Sequence, residues 1–333
     1  MQTLLFAAGA VLALAVAGTL YQWIGVAADR RRYPPPGRLV DLSGARLHLL
    51  AAGDGEPAVI LESGIGATCL NWTDLQAKVA EFTRVYSYDR ASLGWSDAIE
   101  APRTAARMVQ ELHELLKAAQ IAGPFVLVGH SFGGLLARVY AARHPEHVAG
   151  LVLVDPLPPG DWLRPSAVQT KMLSRAVVLS RRGAMLTRFG LVRFSLALLL
   201  GGVRHIPKLI ARVSSGQGES AISRIVGEVR KMPRETWPMV RANWCLPKSF
   251  RGMADHLESL PASSAEAVEA GDPPASIPIV ILSGANSTAA QLTDRDALAK
   301  RSQRGRHVVT KYGHWIHLDE PELVVRAIRE VIG

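Results

Sequence analysis

The 333-residue sequence predicts an α/β fold, a mostly parallel sheet with helices on both faces. Three observations predict it. Strand-like and helix-like segments alternate through residues 38–155 and again through 277–333. A serine stands in a tight turn between an apolar run and a helical pattern, and the alternation lapses between the two blocks, over residues 156–276. With 48% hydrophobic and 20% charged residues, the chain has the apolar surface such a core requires, which excludes extended disorder.

The chain opens on residues 4–28, which carry no charged side chain and are mostly Leu, Ala, Val, Phe and Ile. That length matches the roughly 20 apolar residues of a bilayer-spanning helix. Tyr21 and Trp23 stand near its end, where aromatic side chains favour the membrane interface. Residues 1–28 are therefore expected to be a single-pass anchor. Arg30, Arg31 and Arg32 on the far flank favour a cytoplasmic domain beyond it. A cleaved signal peptide is the rival reading: Val26-Ala27-Ala28 resembles a cleavage site, but the apolar run is long and no Lys or Arg precedes it. Residues 29–37, closing with Pro34-Pro35-Pro36-Gly37, read as a stiff extended linker.

Residues 39–42 and 46–50, joined through Ser43-Gly44, form an opening hairpin. Residues 58–61 are a short strand ending in Glu62-Ser63-Gly64-Ile65-Gly66. Residues 84–88 are the next, followed by Asp89-Arg90-Ala91-Ser92-Leu93-Gly94-Trp95-Ser96-Asp97. From Thr104 a helix follows, with Met108, Leu112, Leu115 and Leu116 at helical spacing, and Gly123-Pro124 stops it. Residues 125–128 lead into Gly129-His130-Ser131-Phe132-Gly133-Gly134 and a helix. Residues 148–154 form an apolar strand that closes with Asp155-Pro156. Two strands, 279–282 and 307–310, and a helix over 321–332 complete the pattern.

The insertion, residues 156–276, is expected to be a helical lid. From Pro156 to Arg251 it holds 17 Lys or Arg against 4 Asp or Glu, a net of +13, while the whole chain carries +9. The basic excess is thus a solvated helical surface or a face that rests on anionic lipid headgroups.

Glycines two residues either side of Ser131 remove the Cβ atoms that would clash in a strained strand-to-helix turn, and the following helix aims its free N–H groups at the hydroxyl. Cys69 and Cys245 lie far apart with no C-x-x-C spacing, so they are expected as buried small hydrophobes and not as a disulfide or a zinc site. Neither G-x-x-x-x-G-K-[ST] nor G-x-G-x-x-G occurs. No cofactor, metal or nucleic-acid partner is expected.

The serine turn, the Tyr88-Asp89-Arg90 segment, Leu151-Val152-Leu153-Val154-Asp155 and Gly313-His314-Trp315-Ile316-His317-Leu318-Asp319-Glu320-Pro321 together resemble the α/β-hydrolase family, in the family's order. The resemblance covers Gly37 to Val154 and Ile277 to Gly333. It implies an eight-stranded, mostly parallel sheet and a serine nucleophile, Ser131. It implies a histidine base in the loop after the last strand, for which His314 is preferred to His317. The family's commoner acid position reads Ser283-Gly284-Ala285-Asn286-Ser287-Thr288, without a carboxylate. Asp155 is then the expected acid, with Asp294 or Asp296 as alternatives. The oxyanion hole is expected from the amides of Phe132 and Ile65, Ser63 standing where the family usually has histidine. His130 is expected to support the serine turn, and His48, His113 and His205 to be solvated or structural. Epoxide hydrolases and haloalkane dehalogenases on this fold carry aspartate where Ser131 stands, so serine points to acyl transfer. The expectation is a membrane-anchored serine hydrolase of carboxylic esters, lipid-like ones included. An acyltransferase, an amidase or peptidase, and a non-catalytic ligand-binding receptor are the alternatives.

Overall fold

The computed structural model describes residues 1–100, 102–200 and 227–333. His205 and part of the insertion lie outside the described residues. Eight strands form one sheet: β1 (Arg38–Leu42), β2 (Ala45–Ala52), β3 (Val59–Glu62), β4 (Val85–Tyr88), β5 (Phe125–His130), β6 (Val148–Val154), β7 (Ile279–Ser283) and β8 (Gly305–Val309). Their order is β1-β2-β4-β3-β5-β6-β7-β8. β2 is antiparallel to β1 and β4, and every pair from β4 through β3 to β8 is parallel, so the sheet is mixed with a parallel majority.

Helices cover both faces. The helices among the described residues include α1 (Gln2–Arg32), α2 (Thr73–Val79), α3 (Ala105–Ala118), α4 (Phe132–Arg143), α5 (Gly160–Leu163), α6 (Ala167–Arg188), α7 (Leu191–Leu200), α8 (Trp237–Trp244), α9 (Pro247–Glu258), α10 (Leu260–Ala270), α11 (Ala289–Arg301), α12 (Ile316–Asp319) and α13 (Pro321–Ile332). Of these, α3, α4 and α11 lie on one face of the sheet and α2 and α13 on the other, whereas α1 packs on α6 and α8. β3, β5 and β7 are buried at every position, which is why their sequences are apolar runs and do not alternate. Successive side chains still go to opposite faces. Leu127 joins Leu112, Leu136 and Leu298 in one core, whereas Val126 and Val128 join Leu75, Val324 and Ile328 in the other. Of the insertion's helices, α10 packs on α3 and α4, and α6 lies along α9 with Gly183 against Phe250.

α1 departs from the sequence expectation at its end. The helix runs through Asp29 to Arg32 instead of yielding to a linker. The Asp29 carboxylate accepts from Arg193 Nη1 at 2.6 Å and lies 3.8 Å from Arg241, while the three arginines of the last turn suit the negative end of the helix dipole. The segment that follows is also held down: Trp95 Nε1 donates to Tyr33 O at 3.1 Å, and His48 Nε2 meets Pro36 O.

Candidate active site

Ser131 joins β5 to α4 with φ 54° and ψ −117°, a left-handed backbone that an L-residue holds only when its surroundings impose it. The surroundings are glycine. A Cβ on Gly129 would come 2.5 Å from Gly133 O, and one on Gly133 would come 2.2 Å from Glu62 O. The turn is pinned on two sides, by Ser131 N donating to Val154 O at 3.0 Å and Leu157 N donating to Ser131 O at 2.9 Å.

Asp155 follows the last residue of β6, also with positive φ (43°), and its amide donates to Leu282 O on β7 at 2.7 Å. Its Oδ2 lies 2.6 Å from His314 Nδ1. Its Oδ1 accepts from Arg295 Nη1 at 2.7 Å, Gly284 N at 3.0 Å and Ser287 Oγ at 3.1 Å. Burial pushes this carboxyl up, but the His314 bond, the Arg295 charge and the Gly284 amide outweigh it, so its pKa is lowered to about 2. An ionised Asp155 accepts only, so His314 Nδ1 must carry the proton and Nε2 of the neutral ring keeps its lone pair. Of the other carboxylates considered, Asp294 is exposed and Asp296 pairs with Lys300 at 2.7 Å.

His314 sits in the loop after β8. Its carbonyl meets His130 Nε2 at 2.9 Å, and the two rings stand 4.7 Å apart. His130 is buried and its pKa is held well below the usual histidine range, first by burial and then by neighbouring His317 and His314. It therefore props the loop that carries His314 as well as bordering the serine turn. His317 is buried too, its ring 4.5 Å from Trp72 and 4.3 Å from His130, and burial lowers its pKa to about 3. Ser131, Asp155 and His314 line one cavity of about 240 Å³, walled further by Leu157, Asn286 and Gln291.

Phe132 opens α4, where the first backbone N–H groups have no partner within the helix. Ile65 lies in the loop after β3, and Arg90 shapes that loop. The Arg90 guanidinium is buried, pairs with Glu62, and donates to Ser63 O at 2.6 Å and to Gly64 O; Tyr88 OH bonds the other Glu62 oxygen. In a planar trans peptide the N–H points opposite to the C=O. Gly64 O turned onto Arg90 thus aims the Ile65 amide the other way. Ser63 has a structural set of bonds, donating to Thr68 O at 3.2 Å and accepting from Trp72 Nε1 at 2.8 Å.

Sequence reasoning missed Arg295 and the Arg90–Glu62 pair. Arg295 left a signal: it falls three and four residues before Leu298 and Ala299, on the buried face of α11, where an unpaired charge would be costly. It also missed that His48, Cys69 and Asp89 meet in space. Their ligand-type atoms lie within 4.8 Å of one another and all three residues are buried. Hydrogen bonds account for this group: His48 Nδ1 lies 2.9 Å from Asp89 Oδ2, which also accepts from Trp95 N, while Asp89 Oδ1 accepts from Cys69 N. With Pro36 O at the other ring nitrogen, both ring nitrogens of His48 face acceptors. Burial alone would lower its pKa, but Asp89 outweighs it and raises it. His113 bonds Tyr140 OH at 3.1 Å, and Cys245 is buried and free like Cys69.

Fold and site geometry together define a class, and the chain belongs to it: residues 57–321 match the model of the α/β-hydrolase fold family. It is 35% identical over 104 residues to the uncharacterized protein YqjL of Bacillus subtilis (strain 168), a match covering 31% of this chain and 41% of that protein. The match spans less than half the length of the curated relatives it resembles. Among solved structures it is similar to the enol-lactonase from Burkholderia xenovorans LB400, at 18% identity and a TM-score of 0.58, covering 89% of this chain and 99% of that one. It is also similar to a hydrolase from Pseudomonas aeruginosa PA01, at 21% identity and a TM-score of 0.59, covering 89% and 98%. At these identities the structural likeness is one of fold.

Proposed function

We propose that the protein is a serine hydrolase that cleaves carboxylic esters through an acyl-enzyme. The observation that carries this reading is the 2.6 Å pairing of His314 Nδ1 with an ionised Asp155, on the wall of the cavity that Ser131 also lines. In the proposed reaction the Ser131 hydroxyl gives its proton to His314 Nε2 as its oxygen attacks the ester carbonyl. Asp155 holds the ring in the required tautomer and stabilises the imidazolium that forms. The tetrahedral oxyanion takes hydrogen bonds from the Phe132 and Ile65 amides. His314 returns the proton to the departing alcohol, and water repeats the sequence on the acyl-enzyme.

In the same reading α1 is a single membrane span and the hydrolase domain faces the cytoplasm. Its support is a helix long and apolar enough to cross a bilayer, with its most apolar stretch unburied and three arginines at its end. A signal sequence meets the same length test, so alkaline extraction decides: a chain that stays in the pellet uncleaved supports the anchor. The catalytic reading is tested with a chain-length series of acyl esters, with the matching amides alongside and Ser131→Ala as control. Ester turnover that Ser131→Ala abolishes is expected. Turnover of amides alone, or turnover that survives the substitution, would refute it.

A further inference from the structure

We infer that the corner between α6 and α7 enters the bilayer together with α1, so that the insertion is itself a membrane-embedded element. This rests on the reading of α1 as a membrane span. Gly18, Gln22, Gly25 and Asp29 recur at four, three and four residues and so share one face of α1. That face is docked onto the corner. A Cβ on Gly18 would come 2.3 Å from Phe189 O, and one on Gly25 would come 2.6 Å from Arg193 Nε. Gln22 is buried, its Nε2 donating to Cys245 O at 2.6 Å and its Oε1 accepting from Arg193 Nε at 3.1 Å. The small and polar stripe is thereby docked on the protein, and between Leu4 and Ala28 the exposed side chains are mostly apolar, Thr19 turning its hydroxyl onto Ala15 O at 2.8 Å.

Length then fixes depth. The part of α1 before the docked face, residues 4–17, is 14 residues. At about 1.5 Å per residue it reaches about 21 Å, short of a hydrocarbon core of about 30 Å. A span of roughly 20 residues from Leu4 ends near Trp23, which is 72% exposed and suited to the interface. Gly18 and the Phe189 carbonyl against it then lie about 7.5 Å inside the hydrocarbon boundary. The corner has the surface for that depth: Phe189, Leu191 and Phe194 are exposed, as is Met185 on α6. Beside it, Arg181, Arg188 and Arg251 border a groove of about 380 Å³ together with Asp255. Arg181 is paired with Glu258 at 2.5 Å, so Arg188 and Arg251 are the arginines whose long side chains reach back to lipid headgroups. The occupant of this surface is an anionic lipid bilayer.

The full chain, reconstituted in phosphatidylcholine vesicles with and without phosphatidylserine, tests this. An environment-sensitive fluorophore is placed by Phe189→Cys, Phe194→Cys or, as a solvated control, Lys300→Cys; Cys69 and Cys245 are buried. Blue-shifted emission quenched by acyl-chain-brominated lipid is expected at 189 and 194 and not at 300. Added phosphatidylserine should strengthen it, and Arg188→Gln with Arg251→Gln should remove that gain. Gly18→Leu should return the 189 label toward water while the chain stays integral. A chain that resists alkaline extraction while both labels remain water-exposed overturns the inference and leaves the anchor standing. A chain that washes off overturns both.

Discussion

His314 Nδ1 lies 2.6 Å from Asp155 Oδ2, although 159 residues separate the two in the chain. The parallel pairing of β6 with β7 and of β7 with β8 brings them together, since Asp155 leaves the end of β6 and His314 follows β8. If Asp155 sets the tautomer of His314, Asp155→Asn should lower kcat/KM on an ester by about 10⁴ while leaving the fold intact, because the amide donates where the carboxylate accepted. Asp294→Asn, on the exposed side of α11, should leave it within about twofold, as surface substitutions usually do. Steady-state kinetics of the two variants separates the positions.

Arg295 is the group behind Asp155, and its removal should be read in acid. The Asp155 pKa, about 2 in the fold, lies below its unfolded value, so its stabilisation is present above about pH 4 and lost as pH falls from about 4 toward 2. A shift of that size corresponds to roughly 2 kcal/mol. Arg295→Gln should raise the Asp155 pKa and move acid unfolding to higher pH, as followed by circular dichroism. An unchanged acid midpoint would remove Arg295 from this role.

Gly133 is confined by backbone, since its added Cβ would meet Glu62 O at 2.2 Å. Gly133→Ala should therefore lower stability by about 1–3 kcal/mol and displace the serine turn. Gly160→Ala, with nothing within 4 Å of the added carbon, should be near neutral. Thermal unfolding of the pair gives the comparison.

Arg90 bonds two successive carbonyls, Ser63 O and Gly64 O, with one guanidinium. Lysine keeps the charge but not the planar fork. Arg90→Lys should cut kcat by about tenfold to a hundredfold with KM little changed, because a misaimed Ile65 amide is felt in the transition state. An equal loss in KM would assign Arg90 to substrate binding.

The fold was legible because its signals are local. The Ser43-Gly44 hairpin, the strand–serine–helix turn and the stop at Gly123-Pro124 each declare themselves within a few residues. The strand ends moved by a residue or two, as when β3 takes in Glu62 and β8 begins at Gly305. What stayed hidden depends on which elements become neighbours. Arg90 meets Glu62 because β4 pairs with β3, and Arg295 meets Asp155 because α11 packs on β7 and β8, beside the strand that Asp155 follows. The helical continuation of α1 past Ala28 is hidden for the same reason: Arg193, which pairs with the part-buried Asp29, is 164 positions away.

The most direct test of Ser131 as an activated nucleophile is labelling of the intact, folded chain with a fluorophosphonate, with the modified residue located by mass spectrometry. A single adduct on Ser131 is expected, abolished by heat denaturation or by Ser131→Ala and strongly slowed by His314→Gln. A folded chain that takes up no label, or takes it up at another residue, would contradict the proposed hydrolase.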